Sequence, residues 1–187
     1  MRALEKQELK SDEELFQDWL KGGPDSFDNL LARYQGRLFK VILGWTKNPH
    51  LSQDLFQETW VRVIEHKGDF DPGRKFSSWI FSIALNLTRD HWRREKRNRT
   101  EIDSGQIDLA SGGVDQSETL AEQEQMKKLD AALGQLSEIE REVFMLRHFG
   151  ARNFKEIADL LGINLNTALG RMHQALGRLK KIMGVEE

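Results

Sequence analysis

Apolar residues recur at spacings of three and four along most of this chain, and nowhere do apolar and polar residues alternate as in a strand. The prolines, Pro24, Pro49 and Pro72, each stand beside polar or glycine-containing runs, so they punctuate helices rather than kink them. Asp12 is placed to cap a short helix through Leu20, ended by Gly22-Gly23. A longer helix begins at Pro24 or Asp25, with Phe27, Leu30, Leu31, Tyr34, Leu38, Val41 and Ile42 on one face, and Asn48-Pro49 ends it. The pattern repeats from Leu51 to His66, with Leu55, Phe56, Thr59, Val63 and Ile64 near one side. The run GDFDPGRK has no period and reads as a loop. Helical spacing resumes from Phe76 to about Arg97, burying Phe76, Trp79, Ile80, Ile83, Ala84 and Leu87.

A change of composition divides the chain. Residues 98–118 are rich in serine, glycine and acidic residues, and the run SGGVDQSE has no face to bury. Residues 101–126 hold seven acidic side chains and no basic one, between blocks of net charge +3 and +2. Helical spacing returns with Met126, Leu129, Leu133 and Leu136. Ser137 then caps a helix carrying Ile139, Val143 and Leu146. The reading is all-α: a helical domain over 11–97, a flexible acidic linker over 98–122, and a second helical domain over 123–187.

Composition excludes several function classes. The chain has no cysteine, which removes disulfides, cysteine-ligated zinc and a cysteine nucleophile. The five histidines have no metal-ligand spacing, and neither a P-loop nor a nucleophile-elbow run occurs, so no metal, cofactor or catalytic residue is expected. There is no run of eighteen apolar residues, and the opening MRALEKQELKSDEELF has no signal-peptide core. The expectation is a cytoplasmic chain without membrane insertion. An overall charge of −2 argues against nonspecific coating of DNA but leaves room for local binding faces.

Two segments carry such faces. FKEIADLLGINLNTALGRMHQAL has the layout of a helix-turn-helix: small Ala158 at a close helix crossing, Gly162 at the turn, Ile163 in the corner, then a capped second helix. On that second helix Ala168, Met172, Ala175 and Leu179 fall on one arc, which must face a core. The opposite side carries Asn166, Gly170, Gln174, Gly177 and Lys181, flanked by Thr167, Arg171 and Arg178. Asn and Gln can pair bidentately with adenine in a major groove. Arg178 and Lys181, with Arg152 and Lys155 at the preceding helix, suit phosphates. Each exposed helical glycine costs about 1 kcal/mol against alanine, so two on one face favour a contact surface. In the first domain Ser82, Asn86, Arg89 and Arg93 form a single polar stripe running into the basic cluster RREKRNR. Hydrogen-bonding residues upstream and cations downstream suit bases first and phosphates second.

The blocks DSFDNLLARYQGRLFKVI, DLFQETWVRVIEH, FSSWIFSIALNLTRDHWRR and EIADLLGINLNTALGRMHQAL resemble the extracytoplasmic-function class of RNA polymerase sigma factors, in order and spacing, over nearly the whole chain. The resemblance implies a non-enzymatic subunit that brings polymerase core to chosen promoters. It implies a region-two domain whose helix around Asp54, Gln57, Glu58 and Arg62 docks on the β′ clamp coiled coil. The loop from Gly68 to Ser77, with Phe70 as a candidate pocket wall or equally a core residue, and the helix bearing Ser82, Asn86 and Arg89 would recognise and open the −10 element of promoter DNA. Trp79 is expected to be structural, and Trp92 to face outward as a contact beside Arg93. The region-four domain would read the −35 element with Arg152, Lys155, Asn166, Thr167, Gly170, Arg171, Gln174 and Arg178, and sit on the β flap. Family members often carry a basic residue and a serine where this chain has Leu169 and Gly170, and arginine where it has Gln174. A −35 preference unlike that of typical members is therefore implied. An anti-sigma factor is a further partner that the residues neither require nor exclude. Among rival readings, a helical nuclease lacks a catalytic constellation. A stand-alone regulator or a protein-only adaptor would need only part of these surfaces.

Overall fold

A computed structural model describes residues 10–101 and 131–184. Its helices are α1 (Asp12–Leu20), α2 (Ser26–Thr46), α3 (Pro49–Glu65), α4 (Phe76–Glu101), α5 (Glu138–His148), α6 (Phe154–Leu161) and α7 (Leu165–Met183), with a short 3₁₀ turn at Lys67–Asp69. No strand occurs among the described residues, in keeping with the all-α expectation. The linker lies outside the described residues from position 102 onward, as do Met126 and Leu129; residues 98–101 continue α4.

Caps set the helix starts, and two lie away from the sequence-based positions. Ser11, not Asp12, caps α1, exchanging hydrogen bonds with Glu14 at 3.1 and 2.8 Å. Asp12 instead accepts from Arg33 at 2.8 Å and from the Tyr34 hydroxyl, pinning α1 to α2. Asn48 both follows α2 and caps α3 through the Leu51 amide at 3.1 Å, so α3 begins at Pro49 rather than Leu51. The preceding residue, Lys47, adopts a left-handed backbone with φ 55°, which turns the chain between the two helices.

Helices α1 to α4 form the first bundle. Its centre is the Phe16 ring, fully buried, with the rings of Trp19, Phe70, Phe76 and Trp79 at centroid distances of 4.6 to 5.6 Å. Most of these contacts are edge-on or tilted, the arrangement aromatic quadrupoles favour. Glu13 accepts a hydrogen bond from the Phe76 amide at 2.9 Å, fastening the start of α4 to α1. Ile64 departs from its predicted side: it is 44% exposed, as is Val61.

Helices α5 to α7 form the second bundle around Val143, Leu146, Ile157, Leu161, Ala168, Met172, Ala175 and Leu179, together with Leu133 and Leu136 from just before α5. The turn between α6 and α7 is as predicted. Gly162 takes φ 68°, the Ile163 amide bonds the Ala158 carbonyl at 3.0 Å, and Asn164 caps α7 through Thr167. Glu140 is buried at the start of α5. Burial alone would raise its carboxyl. Hydrogen bonds from Ser137 and the charges of Arg178 and Arg171 outweigh that and hold it below the usual carboxylate range.

The two bundles pack against each other, and their buried apolar residues form one continuous core. Helix α2 buries Tyr34, Leu38, Val41 and Ile42. At Gly44 it also lies so close to α5 that an added Cβ would come within 2.0 Å of the Met145 Cε. Glycine at 44 is what lets Met145 lie against the helix. Replacing Phe16 with alanine should lower stability by about 3–5 kcal/mol through the cavity it leaves in the ring cluster. Chemical denaturation followed by tryptophan fluorescence measures this.

Candidate nucleic-acid interface

On α3 the outward face is built from Asp54, Gln57, Glu58 and Arg62. Asp54, Gln57 and Arg62 are exposed, and Arg62 bonds Glu58 at 2.9 Å one turn earlier. Exposed Val61 sits among them, so the face is charged at its rim and apolar at its middle. Sequence reasoning did not single out Val61, because an apolar residue beside Val63 reads as core.

The polar stripe of α4 does not have one uniform environment. Asn86 and Arg93 are exposed, and Arg93 reaches Asp90 at 2.8 Å. The Ser82 hydroxyl donates to the Trp79 carbonyl of its own helix at 2.6 Å. Arg89 points into the second bundle: its Nε and Nη2 donate to the two carboxylate oxygens of Glu142 at 3.0 and 2.7 Å. Glu142 is 1% exposed, and burial pushes its carboxyl above the usual range, against the lowering effect of Arg89.

The aromatic expectations need correction. Phe70 is buried within the Phe16 ring cluster, where no base can stack on it in this arrangement. Its flanking run DFDP reads as a polar loop, but the ring turns inward because Phe16 and Trp79 offer it an apolar seat. Trp92 is not fully outward; it is half-buried against the core. Trp79 is partly buried and packed in the same cluster, as expected of a structural residue.

On α7 the predicted face is open. Asn166, Gly170, Gln174, Gly177 and Lys181 are exposed, whereas Ala168, Met172, Ala175 and Leu179 are buried. A Cβ added at Gly170 or Gly177 meets nothing within 4 Å, so no packing among the described residues requires either glycine. Arg171 donates to Gln174 at 3.1 Å, holding the amide in place. Thr167 donates its hydroxyl to Asn164 at 2.9 Å and serves the cap. Leu169, 42% exposed, adds an apolar contact to this face. Arg178 is exposed but also lies 3.3 Å from Glu140.

The cations ahead of α7 divide. Lys155 is exposed. Arg152 is not the free phosphate contact the sequence implied: it turns inward to the Ser77 hydroxyl, the Gly150 carbonyl at 3.0 Å and Glu156 at 3.8 Å. The physical reason is Ala151, whose left-handed backbone (φ 52°) reverses the chain and aims Arg152 at the first bundle. Glu142, Glu156, Ser77 and Gly44 were not singled out in the sequence. A helical glutamate or serine reads as a surface residue until a second bundle covers it.

Known proteins are similar to this chain in sequence and fold. Residues 30–98 match the family described as Sigma-70 region 2, and residues 126–179 match Sigma-70, region 4. The RNA polymerase sigma factor CarQ of Myxococcus xanthus is 30% identical over 166 residues, covering 87% of this chain and 92% of that one. The ECF RNA polymerase sigma factor SigW of Bacillus subtilis is 26% identical, covering 86% of this chain and 90% of its own length. In fold, the sigma factor RpoE solved with the anti-sigma factor NepR from Bartonella quintana superposes with a TM-score of 0.77 at 21% identity, over 87% of this chain and 99% of that one. CnrH solved with the cytosolic domain of CnrY gives a TM-score of 0.70 at 23% identity, over 95% and 100%. With a region-two bundle, a region-four helix-turn-helix and these relatives, the chain belongs to the sigma-70 family, in its extracytoplasmic-function class of RNA polymerase sigma factors.

Proposed function

We propose that this sigma factor divides promoter-directed initiation among three surfaces. The α3 face of Asp54, Gln57, Glu58 and Arg62, with Val61 at its middle, holds the polymerase core at the β′ clamp coiled coil. The α4 stripe of Asn86, Arg89 and Arg93 engages the −10 element, with Trp92 at its end. The α7 face of Asn166, Gly170, Gln174 and Gly177 enters the major groove of the −35 element, with Lys155, Arg171 and Arg178 toward phosphates. The second bundle rests on the β flap. The chain itself performs no catalysis and acts in the cytoplasm. In support, no described helix is long and apolar enough to cross a membrane. The domain limits are taken as 11–97 and 123–187, a reading supported by family matches at 30–98 and 126–179. An anti-sigma factor is a fitting partner, because the similar structure of RpoE is a complex with the anti-sigma factor NepR.

The observation that carries the −35 assignment is the pair of open glycines on α7. They weaken the helix without serving any packing among the described residues, so their use lies with a partner whose backbone comes close. With Gln174 and Leu169 in place of an arginine and a basic residue, the face reads adenine edges and thymine methyls rather than guanine.

Run-off transcription with purified core on a random promoter library tests the whole reading; failure to initiate on any promoter would reject it. Asn86→Ala should impair opening of the −10 element, read by permanganate reactivity, with core affinity intact. Glu58→Lys should do the reverse, and equal core-binding loss in both would reverse the assignment of surfaces. Gly170→Ala should raise the stability of the chain by up to about 1 kcal/mol. The same variant should weaken −35 binding, as measured by duplex titration.

A further inference from the structure

The polar side chains at the start of α1 divide three tasks among them. Ser11 and Glu14 cap α1 itself, and Asp12 holds α2 through Arg33 and Tyr34. Glu13 serves α4, accepting from the Phe76 amide at 2.9 Å, 63 positions along the chain. Helix α4 needs that acceptor. The amides of its first turn have no helical carbonyl to bond. The residue ahead of Phe76 is Lys75, whose ammonium donates and cannot accept, so α4 has no side-chain cap of its own at that position. A carboxylate also suits the positive end of the helix dipole.

The same side of α1 touches the chain ahead of α4 at two further points. Glu13, Phe16 and Trp19 follow one another at a spacing of three and so share a face of the helix. The Lys67 ammonium lies over the Trp19 ring, 5.1 Å from its centroid, at the 3₁₀ turn. Phe16 meets Phe70 edge-on at 4.6 Å, and Glu13 takes Phe76. Between the last two anchors, residues 71–75 form an exposed arch. It is closed from within by the Gly73 amide on the Asp71 carboxylate at 2.9 Å and by the Arg74 amide on the Asp71 carbonyl at 3.0 Å. Both feet of the arch therefore stand on α1. The arch leads directly into the polar stripe: Ser78, in the first turn of α4, lies one turn ahead of Ser82 on the same side.

We propose that Glu13 is a positioning residue for promoter opening: by fastening the first amide of α4 to α1, it sets where the arch and the polar stripe stand on the bundle. This rests on the assignment of the α4 stripe to the −10 element. Glu13 touches no DNA in this scheme; it is half-buried, whereas the arch and Asn86 are exposed. The ring contacts at Phe16 are apolar and tolerate small slips of one helix past another. A charge-assisted hydrogen bond to a single amide does not. Side chains that read a partner by hydrogen bonds have to be held to within about 0.5 Å, and that is the tolerance the Glu13 bond supplies.

The test uses the full chain with polymerase core on a promoter recovered from the random library. Glu13→Ala should lower opening of the −10 element, read by permanganate reactivity, by about fivefold to tenfold, the size of effect that loss of a helix cap carries. Glu13→Gln keeps an oxygen that accepts from Phe76 and should recover most of that loss. Hydrogen exchange at the Phe76 amide should quicken in Glu13→Ala and stay slow in the parent and in Glu13→Gln. Affinities for core and for a −35 duplex should stay at the parental level in both variants. A second background separates positioning from capping: Lys75→Ser supplies an acceptor from within α4. Adding Glu13→Ala to it should still lower opening. Opening equal to that of Lys75→Ser alone would reduce Glu13 to a cap and overturn the proposal. So would unchanged Phe76 exchange or unchanged opening in Glu13→Ala, or a fall in core and −35 affinity in proportion to the fall in opening. Asn86→Ala decides the underlying reading. If it impairs opening and Glu13→Ala does not, the positioning claim alone is rejected. If it leaves opening intact, the −10 assignment of the stripe is rejected, and the positioning claim with it.

Discussion

Helix α2 has to satisfy two neighbours at once, and the rest of the molecule is arranged around how it does so. Toward its own bundle it offers Leu30, Tyr34, Leu38, Val41 and Ile42, all fully buried. Toward α5 it offers the absence of a side chain at Gly44 and the guanidinium of Arg37. The first face is ordinary hydrophobic burial, insensitive to detail. The second depends on one glycine and on hydrogen bonds to backbone carbonyls, including the one from Arg141 on α5 to the Trp45 carbonyl at 3.5 Å. The strong half of the packing holds the first bundle together, and the conditional half holds the second bundle to it.

That contrast explains why the polar surfaces are distributed as they are. A hydrogen-bonding residue on a helix face is available to a partner only if nothing in the chain uses it first. Asn86, Gln57, Asn166 and Gln174 are exposed, though Gln174 also receives Arg171. Arg89 and Arg152 both turn toward the bundle boundary, as do Arg37 and Arg141. Length and charge, the properties that suit arginine to phosphate, equally suit it to a carboxylate across a gap.

Much of this architecture was legible in the sequence. Spacings of three and four gave the helices, and Gly162, Asn164 and the buried arc from Ala168 to Leu179 gave the helix-turn-helix. What one strand of sequence cannot carry is the covering of one helix by another distant in the chain. Nothing around Glu142 distinguishes it from a solvated glutamate, because its partner in the middle of α4, Arg89, lies 53 positions away. Phe70 stayed open between pocket wall and core for the opposite reason: its polar flanks imply a surface loop, whereas its ring has a place beside Phe16. Ile64 failed because helical spacing alone does not say how wide the buried arc is.

The ion pairs at the bundle boundary each take one member from either half of the chain, Arg89 with Glu142 and Lys75 with Glu156. The halves are therefore not interchangeable parts. A hybrid joining the first half of this protein to the second half of a relative would inherit Arg89 with whatever that relative holds at the position of Glu142. Unless the acid were matched, the graft would lose its grip on the first half even with every helix intact. Compatibility between the halves is thus written in a few charged positions, and these would have to change in pairs as such proteins diverge.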